Sequence, residues 1–165
     1  MLENDKLWDR VGVEPSGSSF NSLLQLEYEK GVPRNPLINA GALVICDILV
    51  SQLKNPLQEI LEFIRNLCGN SAIDFNPKVS TSEKNTGYAN LAMINLIKSY
   101  GNIHNDIETV FSFYCELCSI EMTCQELARA YLFLATGGIN PLSNERVISV
   151  SKSKRINAIM QLCGF

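Results

Sequence analysis

Histidine occurs once in this 165-residue chain, at His104. A single imidazole leaves little room for a histidine-based triad. Any covalent or acid–base chemistry therefore falls to Ser, Lys, Tyr, Asp or Glu. Paired metal-ligand motifs are also lacking. Cys115 and Cys118 form one C-x-x-C, but there is no second unit, and a structural zinc site needs about four ligands. These thiols are expected to pack in or beside a helical core. No dense run of Lys and Arg occurs: 14 basic residues stand against 17 acidic ones, for a formal net charge of −3. That balance excludes a broad nucleic-acid or anionic-membrane footprint. The longest apolar stretch, Ile38 to Val50, is interrupted by Asn39 and Asp47 and is too short to span a bilayer. Glycine-rich phosphate loops are missing as well. The opening residues, MLENDKLWDR, resemble neither a secretory signal nor an Arg-rich transit peptide. We therefore expect a cytoplasmic chain whose six cysteines stay reduced.

What is present reads as an ordinary globular chain. Apolar residues make up 46% and charged ones 19%, which excludes disordered, collagen-like and low-complexity classes. No repeat or linker divides residues 1–165, so one domain is expected. Apolar residues recur mostly at helical spacing, and five or six helices are predicted. The run LINAGALVICDILVSQL is apolar almost all round, as in a helix buried on several sides, with Asn39 as a possible cap. Asn55-Pro56 opens another helix, which Gly69 ends. Ser80 and Glu83 have capping-box spacing ahead of a stripe at Ala89, Ala92, Met93, Leu96, Ile97 and Tyr100. Asn105 can cap a helix carrying Ile107, Val110, Phe111, Tyr114 and Cys118. Thr123 and Glu126 repeat the capping-box spacing before Leu127, Ala128, Tyr131, Leu134 and Ala135. A last helix covers 151–163. By contrast Leu24, Leu26 and Tyr28 alternate with polar residues, which suggests a short strand or extended segment.

Several constellations could carry chemistry. Glu83 and Asn90 are seven residues apart, nearly two helical turns. On one helix they would share a face, with Gly87 between them to let a ligand approach the backbone. A carboxylate can pair with an ammonium, and an amide can donate to a carboxylate, so this face could seat a small zwitterion. It could equally be a capping glutamate on a solvated face. Asn39-Ala40-Gly41 opens a helix whose free N–H groups favour an anion. Tyr114 sits on an apolar stripe and needs a hydroxyl partner if buried. Three S-x-x-K pairs, Ser51–Lys54, Ser149–Lys152 and Ser151–Lys154, match the form of a serine–lysine nucleophile. The first falls late in an apolar helix and the others lie in the polar stretch SVSKSKR, so all three read as chance matches.

Taken together, the motifs resemble one family. VGVEPSG (11–17), FNSLLQLEYEKGVPRNPLINAGALVICD (20–47), SEKNTGYAN (82–90), FYCELCSIEMTC (113–124) and ATGGINPLSNERVIS (135–149) are similar, in order, to the serine-dependent glutaminases. The resemblance implies hydrolysis of L-glutamine to L-glutamate and ammonia, with no cofactor. It implies a fold like that of serine β-lactamases and penicillin-binding proteins, in which a helical lobe packs on an α/β lobe. This chain would be mainly α, the helical lobe, with the α/β lobe largely absent. By the same resemblance Asn39, Glu83, Asn90 and Tyr114 match substrate-binding positions, and a homo-oligomer is expected.

The resemblance also implies groups that residues 1–165 do not contain. The family's nucleophilic Ser and its Lys precede the VGVEPSG segment, and a further Tyr follows a C-G-x sequence. The isolated chain is therefore expected to recognise glutamine without turning it over. Apolar surface facing the absent lobe should promote self-association. The competing reading is a non-catalytic binding or oligomerisation module. A β-lactamase relative is a weaker third reading, disfavoured by the NAGA and EPSG contexts.

Overall fold

The computed structural model describes residues 7–17, 19 and 22–163. Among them are eight complete helices: α1 (Leu23–Tyr28), α2 (Asn39–Gln52), α3 (Pro56–Cys68), α4 (Pro77–Thr86), α5 (Tyr88–Ser99), α6 (Ile107–Cys118), α7 (Cys124–Ala135) and α8 (Val150–Cys163). Two short antiparallel pairs accompany them. Strand β1 (Asp74–Phe75) pairs with β2 (Ile120–Glu121), placing Asp74 opposite Glu121. Strands β3 (Ile139–Asn140) and β4 (Glu145–Arg146) form the second pair, with Ile139 opposite Arg146.

Helix α2 is the centre of the larger core. Its buried residues, Ala40, Gly41, Leu43, Val44, Cys46, Asp47 and Ile48, lie all around its axis, as its apolar sequence requires. It packs against α6 and α5, which contribute Val110, Phe111, Met93, Ile94 and Ile97. A smaller core joins α3 to α7 through Leu67, Cys68, Ile73 and Ala130. Asp47 is fully buried in α2, yet well partnered. It accepts from Arg10 at 2.6 Å, from the backbone N–H groups of His104 and Asn105, and from Asn105 Nδ2 at 2.8 Å. This one carboxylate ties the segment before α1 and the α5–α6 loop to the central helix. Burial alone would raise its pKa, but the hydrogen bonds from Asn105, Arg10 and His104 prevail and hold it below the usual value.

Several local expectations are corrected. Residues 23–28 are helical, not extended. Ser22 caps them, its side chain accepting from Gln25 N–H, and Leu26 alone is buried. The apparent alternation arises because Leu24 and Tyr28, one helical turn apart, both face water. Helix α2 is entered through Asn35, whose Oδ1 accepts from Leu37 and Ile38 N–H, so Asn39 is the first helical residue and not the cap. Ser80–Glu83 is no capping box. Asn76-Pro77 starts α4 one turn earlier, with Asn76 accepting from Lys78 and Val79 N–H. Asn105 serves Asp47, while Asp106 caps α6. On α5 the buried face is Met93, Ile94 and Ile97, whereas Ala89, Ala92 and Tyr100 are exposed. The expected features of α3 are present: Pro56 at its first turn and Gly69 in the left-handed conformation at its end. The Thr123–Glu126 capping box is also formed, with both reciprocal bonds.

Candidate functional site

Four side chains were expected to act together, and their helices are neighbours. Asn39 opens α2, Glu83 lies in α4, Asn90 in the first turn of α5 and Tyr114 in α6. Helix α6 packs against all three others. Asn39 and Asn90, far apart in sequence, meet directly: Asn39 Nδ2 donates to Asn90 Oδ1 at 3.2 Å. Both are half-buried, so each amide retains hydrogen-bonding capacity for a ligand.

Glu83 and Asn90 do not share one helix. Gly87 ends α4 and opens α5, and the chain bends there. A Cβ at Gly87 would stand 2.6 Å from the Glu83 carbonyl oxygen and 2.8 Å from Phe111 Cζ. Glycine is required because α6 approaches closely, and the gap expected for a ligand is filled by the Phe111 ring.

Tyr114 is buried and its hydroxyl faces the Cys118 sulfur. Burial is the main cause that raises its pKa, followed by the neighbouring thiols, so the phenol stays protonated and able to donate. Cys118 is an exposed residue with the Tyr114 hydroxyl beside its sulfur. Desolvation raises its pKa; the Tyr114 hydrogen bond opposes that rise and the Glu83 charge adds to it. The buried Cys115 thiol is pushed up to about 11, first by burial, then by Cys118 and Glu83. Glu83 and Tyr114 therefore flank the same thiols. Beside Glu83, Lys84 pairs with Glu116 at 3.2 Å and fixes α4 against α6.

Among the described residues no group of three or more His, Cys, Asp or Glu is arranged to hold a metal ion. Every fully buried side-chain nitrogen and oxygen described has a hydrogen-bond partner, so no orphan group marks a missing ligand. An open groove of about 620 Å³ lies between the end of α2, the start of α3 and α6, lined by Val50, Leu57, Glu108, Phe113 and Glu116. None of the four site residues borders it.

Two of the three serine–lysine matches have their serines in structural hydrogen bonds. Ser51 Oγ donates to the Asp47 carbonyl and accepts from Asn105. Ser149 Oγ accepts from Lys152 N–H at the start of α8. Ser151 and Lys154 are exposed. Sequence reasoning missed Asn35, which is fully buried and holds the entrance to α2. The Asn35-Pro36 dipeptide is a turn signal that could have revealed it.

The fold is mainly helical, and the Asn39 and Asn90 amides meet where α2 begins. The glutaminase family profile matches residues 1–165. A glutaminase of Saccharophagus degradans is 57% identical over 158 residues, which are 96% of this chain and 52% of that protein. A probable glutaminase of Bacillus subtilis superposes with a TM-score of 0.90 at 33% identity, covering 98% of this chain and 52% of that one. Mglu, solved in its glutamate form, superposes with a TM-score of 0.87 at 29% identity, covering 98% of this chain and 37% of that one. The chain belongs to the glutaminase family. It spans about half the length of the curated relatives it matches. Among the described residues no helix is long and apolar enough to cross a membrane.

Proposed function

We propose that residues 1–165 form the substrate-recognising helical part of a glutaminase, which hydrolyses L-glutamine to L-glutamate and ammonia. The observation that carries this reading is the Asn39–Asn90 hydrogen bond at the entrance of α2, in a chain that the family profile matches from end to end. In this reading Asn39 and Asn90 hydrogen-bond the substrate carboxylate or side-chain amide. Tyr114 donates from a phenol kept neutral by burial. Glu83 pairs with the α-ammonium. The existence of a glutamate form of Mglu supports a ligand of this size and charge. Selectivity would come from polar groups that go unpaired with a wrong ligand.

The nucleophile in this reading is not one of the S-x-x-K serines of the chain, two of which are occupied with holding helix ends. Residues 1–165 therefore bind glutamine and release no ammonia on their own. Calorimetric titration with L-glutamate and L-glutamine, beside an ammonia-release assay, tests this. Glu83→Ala or Asn90→Ala should weaken binding about tenfold or more. A protein of the relatives' full length that stayed inert on glutamine would sink the glutaminase reading. Ammonia release by the 165 residues, abolished by Glu83→Ala, would sink the division of labour. The alternative of a binding or oligomerisation module draws on the exposed Leu127, Tyr131 and Leu162 of α7 and α8. Binding of neither amino acid, together with stable self-association, would favour it.

A further inference from the structure

The entrance of α2 is held by a clasp that reaches across the molecule. Asn35 is fully buried, and all its amide capacity is in use. Its Oδ1 accepts from Leu37 and Ile38 N–H at 3.0 and 3.2 Å. Its Nδ2 donates to the Glu14 carbonyl at 2.9 Å and to Ser16 Oγ at 3.2 Å. Ser16, also buried, donates in turn to the Cys163 carbonyl at the end of α8, at 3.0 Å. The backbone closes the same joint. A Cβ at Gly41 would lie 2.0 Å from the Asn35 carbonyl oxygen, so only glycine lets α2 seat against residue 35. One turn of chain separates this joint from Asn39, whose amide is bonded to Asn90.

We propose that Asn35, with Ser16, is a positioning residue for ligand recognition. The clasp sets where α2 begins, and so the distance and orientation of Asn39 relative to Asn90. It also ties that placement to the end of α8 through the Ser16–Cys163 bond. Neither residue touches the ligand. This inference rests on the recognition role proposed for Asn39 and Asn90.

The test compares the chain with Asn35→Ala, Ser16→Ala, Asn39→Ala and the Asn35→Ala/Asn39→Ala pair. L-Glutamate affinity and the side-chain amide NMR resonances of Asn39 and Asn90 are measured for each. Asn35→Ala should weaken binding about tenfold and Ser16→Ala about threefold, the loss of one or two hydrogen bonds being felt at one remove. In the Asn39→Ala background Asn35→Ala should add less than about twofold, because its effect passes through Asn39. If Asn35→Ala fails to fold, Ser16→Ala decides, since it leaves the α2 cap intact. A Ser16→Ala chain with a lower unfolding midpoint but unchanged affinity and unmoved Asn39 and Asn90 resonances overturns the proposal. If the unaltered chain does not bind L-glutamate, the recognition reading falls by itself. The clasp is then judged by the resonances: movement in folded Ser16→Ala upholds it, and no movement overturns it.

Discussion

Asp47 offers the sharpest test of how the fold is held. Replacing it by Ala removes a fully buried carboxylate and leaves its donors without an acceptor. Breaking a buried ion pair by removing one partner costs about 3–5 kcal/mol. The Arg10 side chain keeps 16% exposure, which lets water reach it and favours the lower end. The backbone N–H groups of His104 and Asn105 lose acceptors too, at about 1 kcal/mol or more each. We therefore expect Asp47→Ala to cost about 5 kcal/mol and Asp47→Asn about 2 kcal/mol, since Asn keeps the shape and one acceptor. For a chain of this length the Ala variant should melt about 10 °C lower. Urea unfolding followed by far-UV circular dichroism near neutral pH measures both. A double-mutant cycle with Arg10→Met should return a coupling of about 1.5–3 kcal/mol. The pH dependence has a definite sign. Because the folded-state pKa of Asp47 is depressed, its contribution is present above the ordinary carboxylate value of about 3.9 and is lost as pH falls through the folded value. Asp47→Asn should therefore flatten the acid limb of the stability profile. An Ala variant within about 0.5 kcal/mol of the parent, or a coupling that small, would refute the latch.

Other outcomes follow from single contacts. Thr123→Ala removes the side-chain acceptor of the α7 capping box and should cost about 1 kcal/mol, read as a lowered denaturation midpoint. Gly87→Ala drives a methyl into Phe111 and the Glu83 carbonyl, and should cost about 1–3 kcal/mol, with loss of any ligand affinity that depends on the α4–α5 bend. In native thiol titration the exposed Cys124 should react first and Cys118, whose thiol is pushed up by desolvation, more slowly; Cys46, Cys68, Cys115 and Cys163 should wait for unfolding. A fast-reacting Cys115, whose thiol is pushed up to about 11, would contradict its packing.

The sequence was legible where a local signal had no rival. Asn55-Pro56 with Gly69, and Thr123 with Glu126, mark real helix boundaries: Pro56 fits the first turn and Gly69 the left-handed end without any cap bond from Asn55, and the Thr123–Glu126 box closes both ways. It misled where two signals competed. Ser80–Glu83 matched a cap, but Asn76-Pro77 lay one turn upstream and began the helix first. The Leu24–Leu26–Tyr28 alternation matched a strand, yet Ser22 and burial of Leu26 alone sufficed for one and a half turns of helix. The two-residue strands are too short to show a period, and the partners of β1 and β2 lie far apart in sequence. For the candidate site, the sequence let four residues be named but not their arrangement. Seven-residue spacing implied a shared face on one helix, but the helix breaks at Gly87 between Glu83 and Asn90, where Phe111 from α6 packs closely. Nothing local to residue 39 announced that it would meet residue 90.

The Ser16–Cys163 hydrogen bond joins positions 147 residues apart. Such a contact cannot form early. Its loop closes only when the intervening helices have collapsed, and the entropy of that closure must be recovered by contacts already made. During synthesis, residues 11–17 leave the ribosome long before α8 exists, and the Ser16 hydroxyl then lacks the Cys163 carbonyl as acceptor. Helix α2 can pack on α5 and α6 at that stage, and residues 10–14 can already dock through Arg10 on Asp47 and through the Gly12 and Glu14 N–H groups on the Pro33 and Arg34 carbonyls. The arrival of α8 thus completes the Ser16 end of the clasp late, after residues 10–14 have docked on α2 and on residues 33–35.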